Sequence, residues 1–311
     1  MLNHDDIRAA RARIAPHLRR TPLFEIAGQD GRPPISLKLE SLQRTGSFKA
    51  RGAFNAILSG TVPKAGVTAA SGGNHGAAVA CAAQSLGVPA RIFVPTMASP
   101  VKISRIRHYG AEVLVEGDRY ADALALCEAH AASSGAKQIH AFDAAETVAG
   151  QGTIAPEWEE DLDRLRLRPL DTVLIAVGGG GLIAGIAAWF AGRVKVVGVE
   201  PAGSCALHAA MQAGHPVDVT VQSVAADSLG AKRTGDLNLA IAKLYVDHIA
   251  LVSDEQIIVA RQSLWDEWRI ATEAGGAAAW AALQAGVYQP DQDERVGVLL
   301  CGGNVDPQIF A

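Results

Sequence analysis

Val173 to Gly192 read VLIAVGGGGLIAGIAAWFAG, twenty residues without a charge. A run of that length invites a membrane-spanning reading. Four consecutive glycines in its middle would break a spanning helix and leave backbone groups unpaired in lipid, so a buried strand, a glycine turn and a helix explain it better. The same alternation continues on either side. Apolar runs at Ile35 to Leu39, Ala90 to Val94, Val113 to Val115, Val194 to Val199 and Val296 to Leu300 are separated by alanine-rich helical stretches. Strands alternating with helices imply crossover connections and parallel sheets. Residues 63–143 form a strand–helix series of their own, punctuated by Pro63, Gly87 to Pro89 and Ser133 to Gly135. The expected fold is α/β, with two open-twisted parallel-sheet domains carrying helices on both faces. A small domain (63–143) is inserted into a large one (1–62 and 144–311), and the functional site is placed where loops at strand ends face the cleft between them.

Composition narrows the chemistry. The chain has 311 residues, 49% hydrophobic, and a net charge of −4; its mean hydropathy is +0.15. That describes a compact globular protein, and the lack of a basic cluster excludes nucleic acid and anionic membrane as partners. Cys81, Cys127, Cys205 and Cys301 are scattered without CxxC spacing, and the histidines show no metal spacing, so neither a disulfide framework nor a metal site is expected. A reducing cytoplasm fits. The N-terminus, MLNHDDIRAARARIAPHLRR, has no apolar core for export, and Ile7, Ala10, Ile14 and Leu18 fall at helical spacing.

Four loops hold the candidate chemistry. Gly178 to Gly181 follow the strand TVLIAV and precede the helix LIAGIAAWF. Consecutive glycines let the backbone approach an anion, and a helix N-terminus offers free N–H groups, so a phosphate site is expected. Gly179, Gly181 and Ala184 also satisfy GxGxxA, with Glu200 ending the next strand, which keeps a nicotinamide-dependent dehydrogenase open. Lys49 lies in SLQRTGSFKARGAFNAI, at the first turn of a helix whose inner face continues through Ala53, Phe54 and Ile57. Apolar surroundings and the positive end of a helix dipole both disfavour its ammonium form, and a neutral lysine is a nucleophile toward aldehydes. The loop SGGNHG at Ser71 to Gly76 lies between a strand-like stretch (Gly66 to Ala70) and a helix beginning near Ala77. Its amides suit a second anion such as a carboxylate, and Asn74 is either a donor to a phenolic or carbonyl oxygen or a helix cap. LLCGGNVD at Leu299 to Asp306 puts Cys301 at the end of the last strand, as a site residue or a small buried hydrophobe.

TGSFKARGA, SGGNHG, AGQGT (Ala149 to Thr153), GGGGLIAGIA, GVEP (Gly198 to Pro201) and CGGNVD occur in the order found in the serine/threonine dehydratases and serine racemases. The chain resembles these pyridoxal 5′-phosphate (PLP) enzymes of the tryptophan synthase β type, fold type II, over nearly its whole length. The resemblance implies a PLP site in the cleft. In it Lys49 bonds covalently to the cofactor and serves as the base at Cα, Phe48 packs beside the ring, Asn74 bonds the phenolic oxygen and Gly178 to Gly181 bind the phosphate. Cys301 faces the pyridine nitrogen, where relatives mostly have serine or threonine. Ser71 and the backbone of Gly72, Gly73, Asn74 and His75 grip the substrate carboxylate.

It further implies an ammonia-lyase acting on L-serine, L-threonine or a related β-hydroxy amino acid, yielding a 2-oxo acid and ammonia, and assembled as a homodimer. A thiol at Cys301 cannot hold the nitrogen protonated as a carboxylate would, which suits prompt loss of a β leaving group. Gly72 stands where the racemases carry a reprotonating serine, so inversion is expected to be minor. A cation site of relatives maps to Glu200, Ser204 and Ala206, with one carboxylate lost. Ala226-Asp227-Ser228 replaces an Ala-Asp-Gly turn. Glu273 matches an acidic position near the active site of relatives, or is a dipole-favoured residue at a helix start. The chain ends ten residues after Cys301, so feedback through a C-terminal regulatory domain is not expected, which favours catabolism. A racemase or β-replacement enzyme is the alternative within the cofactor class; a dehydrogenase or a non-catalytic amino-acid-binding protein stands outside it.

Overall fold

The protein is described by a computed structural model covering residues 2–28 and 33–310. Two sheets organise it. The larger has six strands in the order β1-β2-β10-β7-β8-β9, where β1 is Leu23–Ile26, β2 Ile35–Lys38, β7 Thr172–Ala176, β8 Lys195–Pro201, β9 His248–Val252 and β10 Val296–Leu299. The smaller has four, β5-β4-β3-β6, with β3 Val67–Ala70, β4 Ala90–Val94, β5 Glu112–Val115 and β6 Lys137–Gln138. Every pairing is parallel except β1 with β2. The long uncharged run supplies β7, buried along its whole length, then the glycine turn, then the wholly buried helix Gly181–Phe190. No helix among the described residues is long and apolar enough to cross a membrane.

Three strands escape the apolar-run reading: β1, β6 and β9. Each is the edge of its sheet. An edge strand is covered on fewer sides and needs no continuous apolar run, whereas the interior strands of a parallel sheet do.

The strand order creates the cleft. From β7 the chain moves outward through β8 to β9, then returns by the helix Ala274–Gln284 to β10 on the other side of β7. The loops leaving β7 and β10 therefore diverge at adjacent C-terminal ends, the usual place for a ligand in an open α/β sheet. The Gly178 loop leaves β7, and Cys301 follows β10. The segment to Lys49 leaves β2, next to β10, and the Ser71 loop leaves β3 of the small sheet.

The helix Lys49–Leu58 joins the two sheets. Ala50, Ala53, Phe54 and Ile57 enter the apolar core of the small sheet, with Val67, Ile92, Val94 and Ile106. On another side the helix crosses Ala145–Gly152 at backbone contact. A Cβ on Gly150 would lie 2.6 Å from the Arg51 carbonyl oxygen, one on Gly52 would lie 2.3 Å from Gln151 Nε2, and Gln151 Oε1 accepts from the Gly52 amide at 3.2 Å. The AGQGT motif thus acts as a seat for the Lys49 helix.

Beneath that helix lies a buried ion cluster. Arg51 grips Glu40 through Nε (2.9 Å) and Nη2 (2.7 Å) and reaches Glu157 at 2.9 and 3.0 Å. Lys38, wholly buried, donates to Glu157 at 2.8 Å and Asp161 at 2.9 Å. Buried charges persist only when each has its partners, and these tie β2, the Lys49 helix and the helix Ile154–Arg164 into one frame.

Candidate active site

Lys49 opens its helix, preceded by Phe48, and no side chain caps that end. Its ammonium stands 5.1 Å from the Phe48 ring centre and donates to the Ala141 carbonyl at 2.8 Å. Burial pulls its pKa from 10.5 to about 8, the nearby Cys301 and Glu273 opposing the shift only in part. Lys49 as a residue is half-buried. An amine that is easily neutralised, open to a ligand and held by one weak acceptor can attack an aldehyde.

The turn before Lys49 is paired with the strand-end segment at Cys301. Phe48 N donates to Cys301 O at 3.1 Å, Gly303 N to Gly46 O at 2.9 Å, and Ser47 and Gly302 form an isolated β-bridge. Cys301 itself is buried, its Sγ 3.5 Å from Gly275 O. Burial, reinforced by Glu273, pushes the thiol far above its ordinary pKa, so it stays neutral.

The Ser71 loop ends in a helix that starts at Asn74, three residues earlier than the sequence suggests. Gly73 takes the cap position, and the polar Asn-His-Gly that obscures helical periodicity forms its first turn. Its first amides have no carbonyl ahead of them within the helix and so remain available to an anion. Ser71 Oγ accepts from Gly73 N at 3.2 Å, which fixes the loop. Asn74 donates to Glu273 Oε1 at 2.6 Å and accepts from Asn304 Nδ2 at 2.7 Å. The buried His75 ring meets the Ile139 carbonyl at 2.9 Å, and burial together with Lys49 lowers its pKa to about 3, so only its backbone can serve a ligand. Gly72 is hemmed in: a Cβ there would lie 2.7 Å from Ala98 Cβ and 3.0 Å from Val94 Cγ1.

Side chains are excluded at all four positions of the glycine loop. A Cβ on Gly179 would lie 2.4 Å from the Phe142 ring, one on Gly181 would lie 2.5 Å from Phe142 O, and one on Gly178 would approach Leu229 Cα at 3.1 Å. Gly180 adopts φ +92°, the left-handed region open to glycine. Thr234 Oγ1 and Asn238 Nδ2 donate to Gly179 O at 3.2 and 2.8 Å. The result is a closely packed backbone cradle at the start of a helix. A lysine poised for an aldehyde, a cradle for a phosphate and a neutral thiol fit PLP. Among the described residues no cluster of three or more histidine, cysteine or acidic side chains could hold a metal ion. Glu200 accepts from the amides of Leu207 and His208 at 3.0 and 2.7 Å, and burial raises its pKa to about 8.

Several participants carry no sequence signal of their own. Ala141 and Phe142, in the stretch His140 to Asp143, meet Lys49 and the glycine loop, and a link between units gives no periodic pattern. Asn304 lies within CGGNVD, three residues after Cys301. Glu273 reads from sequence equally well as a helix-start residue; its side chain turns to Asn74, and burial raises its pKa to about 7.

The fold and these loops define an α/β enzyme of the kind that carries a phosphorylated aldehyde cofactor in the cleft of a parallel sheet. The chain belongs to the family described as pyridoxal-phosphate dependent enzyme, whose profile matches residues 14–302, and PLP is its cofactor. It is 38% identical to a phenylserine dehydratase of Ralstonia pickettii, over 98% of this chain and 94% of that one. It is 35% identical to an L-threonine ammonia-lyase of Thermotoga maritima, over 100% of this chain and 77% of the relative. Among solved structures, a threonine deaminase from T.th. superposes with a TM-score of 0.90 at 36% identity, covering 98% and 99% of the two chains. Maize serine racemase does so with a TM-score of 0.90 at 30% identity, covering 99% and 95%. The dehydrogenase alternative suggested by GxGxxA is thereby set aside.

Proposed function

We propose that this protein is a PLP-dependent ammonia-lyase converting a β-hydroxy amino acid, L-threonine, L-serine or an aryl analogue such as phenylserine, to a 2-oxo acid and ammonia. The observation that carries the reading is Lys49, whose amine is desolvated and faces the cleft where the glycine loop, the Ser71 loop and the Cys301 segment converge. Lys49 would hold the cofactor covalently, Phe48 would flank its ring, Asn74 would donate to its phenolic oxygen and Gly178 to Gly181 would cradle its phosphate. Ser71 and the amides of Gly72 to His75 would bind the substrate carboxylate. PLP, when bound, supplies an electron sink for the pair left at Cα. Freed when the substrate's own amine takes its place, the Lys49 amine would take the Cα proton, and the β-hydroxyl would leave with a proton, as water. Cys301 stays neutral and adds no charge beside the ring.

The relatives named for threonine and phenylserine support elimination. A racemase reading draws on the maize serine racemase fold; against it, Gly72 has no group to donate a proton, and the space beside it is filled. The same reading takes residues 63–143 as a small domain inserted into a large one (1–62 and 144–311), which is supported by the placement of the strands, with the Lys49 helix shared between them. It also takes the enzyme to be a cytoplasmic homodimer. The decisive experiment is to assay 2-oxo acid and ammonia from L-serine, L-threonine, 3-hydroxyaspartate and phenylserine. Stoichiometric ammonia and 2-oxo acid from at least one are expected; a PLP-loaded protein inert toward all four would defeat the proposal.

A further inference from the structure

Asn74, Asn304 and Glu273 form a chain of side-chain hydrogen bonds whose direction is set from one end. Thr45 O is a backbone carbonyl and can only accept, so the Asn304 atom 2.8 Å from it is Nδ2. The second N–H on that nitrogen meets Asn74 at 2.7 Å, which requires the Asn74 atom to be Oδ1. Asn74 Nδ2 then donates one N–H to Glu273 Oε1 at 2.6 Å and keeps its other N–H. Glu273 could not set this direction alone. Burial lifts its pKa to about 7, and a carboxyl that gains a proton near neutrality can donate as readily as it accepts. The fixed end is therefore Thr45, whose carbonyl is presented by a left-handed turn: Thr45 has φ +62° and Gly46 φ +72°, and a Cβ on Gly46 would lie 2.2 Å from Asn304 Oδ1.

We infer that Asn304 is a positioning residue that locks the Asn74 amide so that it presents N–H, and not C=O, to the cofactor's phenolic oxygen. This rests on the assignment of Asn74 as the residue that bonds that oxygen. It also ties together two loops that the cofactor must find in register, because the turn Asn304 holds lies four residues before Lys49.

Titration of apoprotein with PLP, followed by fluorescence and by the visible spectrum of the bound cofactor, tests this. In Asn304→Asp both side-chain oxygens accept, the Asn74 amide turns over, and a carbonyl faces the phenolic oxygen. Affinity for PLP is expected to fall at least about tenfold, with a shifted absorption maximum. If Asn304→Asp does not fold, Asn304→Ala, which removes the donor without imposing an acceptor, is expected to show a smaller loss and the same direction of spectral shift. Wild-type affinity and absorption maximum in whichever variant folds, even with a lowered Tm, would mean that Asn304 only staples the turn, and the inference would fall. Wild-type affinity and spectrum in Asn74→Ala would instead overturn the assignment of Asn74 itself, and the inference with it.

Discussion

Lys49 Nζ lies 2.8 Å from the carbonyl oxygen of Ala141, in the stretch that leads from the small sheet into the helix Ala145–Gly152. A neutral carbonyl orients an amine without compensating its charge, so burial dominates and the pKa falls to about 8. In the apoprotein the folded state therefore carries the cost of a buried ammonium below pH 8. The unfolded chain stays protonated up to about 10.5, so stability should rise with pH between these values. Lys49→Met should raise the Tm of the apoprotein by a few degrees at pH 7, and the difference should vanish above pH 10.5. The same variant should lose at least about 10³-fold in turnover. Calorimetry of the two apoproteins across pH reads the first effect; a gap that does not close at high pH would contradict it.

Gly179 faces the Phe142 ring so closely that an added methyl must displace one of them. Gly179→Ala should cost about 1–3 kcal/mol, felt first as weaker PLP binding because the loop is the part that can give way. Equilibrium dialysis with PLP measures it, and an unchanged dissociation constant would show that Phe142 moves aside freely.

The ion cluster around Arg51 should behave as a unit. Arg51→Met leaves buried Glu40 without its cation and Glu157 with Lys38 alone, and should destabilise the fold by about 3–5 kcal/mol, lowering Tm by about 10 °C. Thermal unfolding monitored by circular dichroism decides this. A loss below about 1 kcal/mol would mean that water reaches the carboxylates.

If Cys301 flanks the cofactor ring as proposed, Cys301→Ser preserves size and neutrality there, and elimination should persist within about threefold. Steady-state ammonia release is the measurement. Total loss of activity would give the thiol a role of its own.

What is legible in the sequence follows physical rules. Interior parallel strands are covered on both faces and so are mostly apolar: β2, β4, β7, β8 and β10 show in the residues, as does the edge β5, whereas the edges β1, β6 and β9 do not. The loops proposed to carry chemistry stand out where glycine, lysine and asparagine have few bland uses together, as at Lys49, Asn74 and Gly178 to Gly181. Contacts made by ordinary backbone are not: nothing in the letters His-Ala-Phe-Asp at 140–143 announces that Ala141 O meets Lys49 or that Phe142 bounds the glycine loop. Nor does the AGQGT motif read as a helix seat until Gly150 and Gly52 are seen at backbone contact.

The space beside Gly72 bears on how such a chain could change its trade. A serine there would be the obvious first step toward a proton donor on the second face of a substrate, yet its Cβ would collide with Ala98 at 2.7 Å and crowd Val94. That route opens only after residue 98 shrinks or its loop shifts, a change with no benefit by itself. On the proposed reading, packing then adds to the missing proton donor as a second barrier to inversion, set by a methyl group on a neighbouring loop.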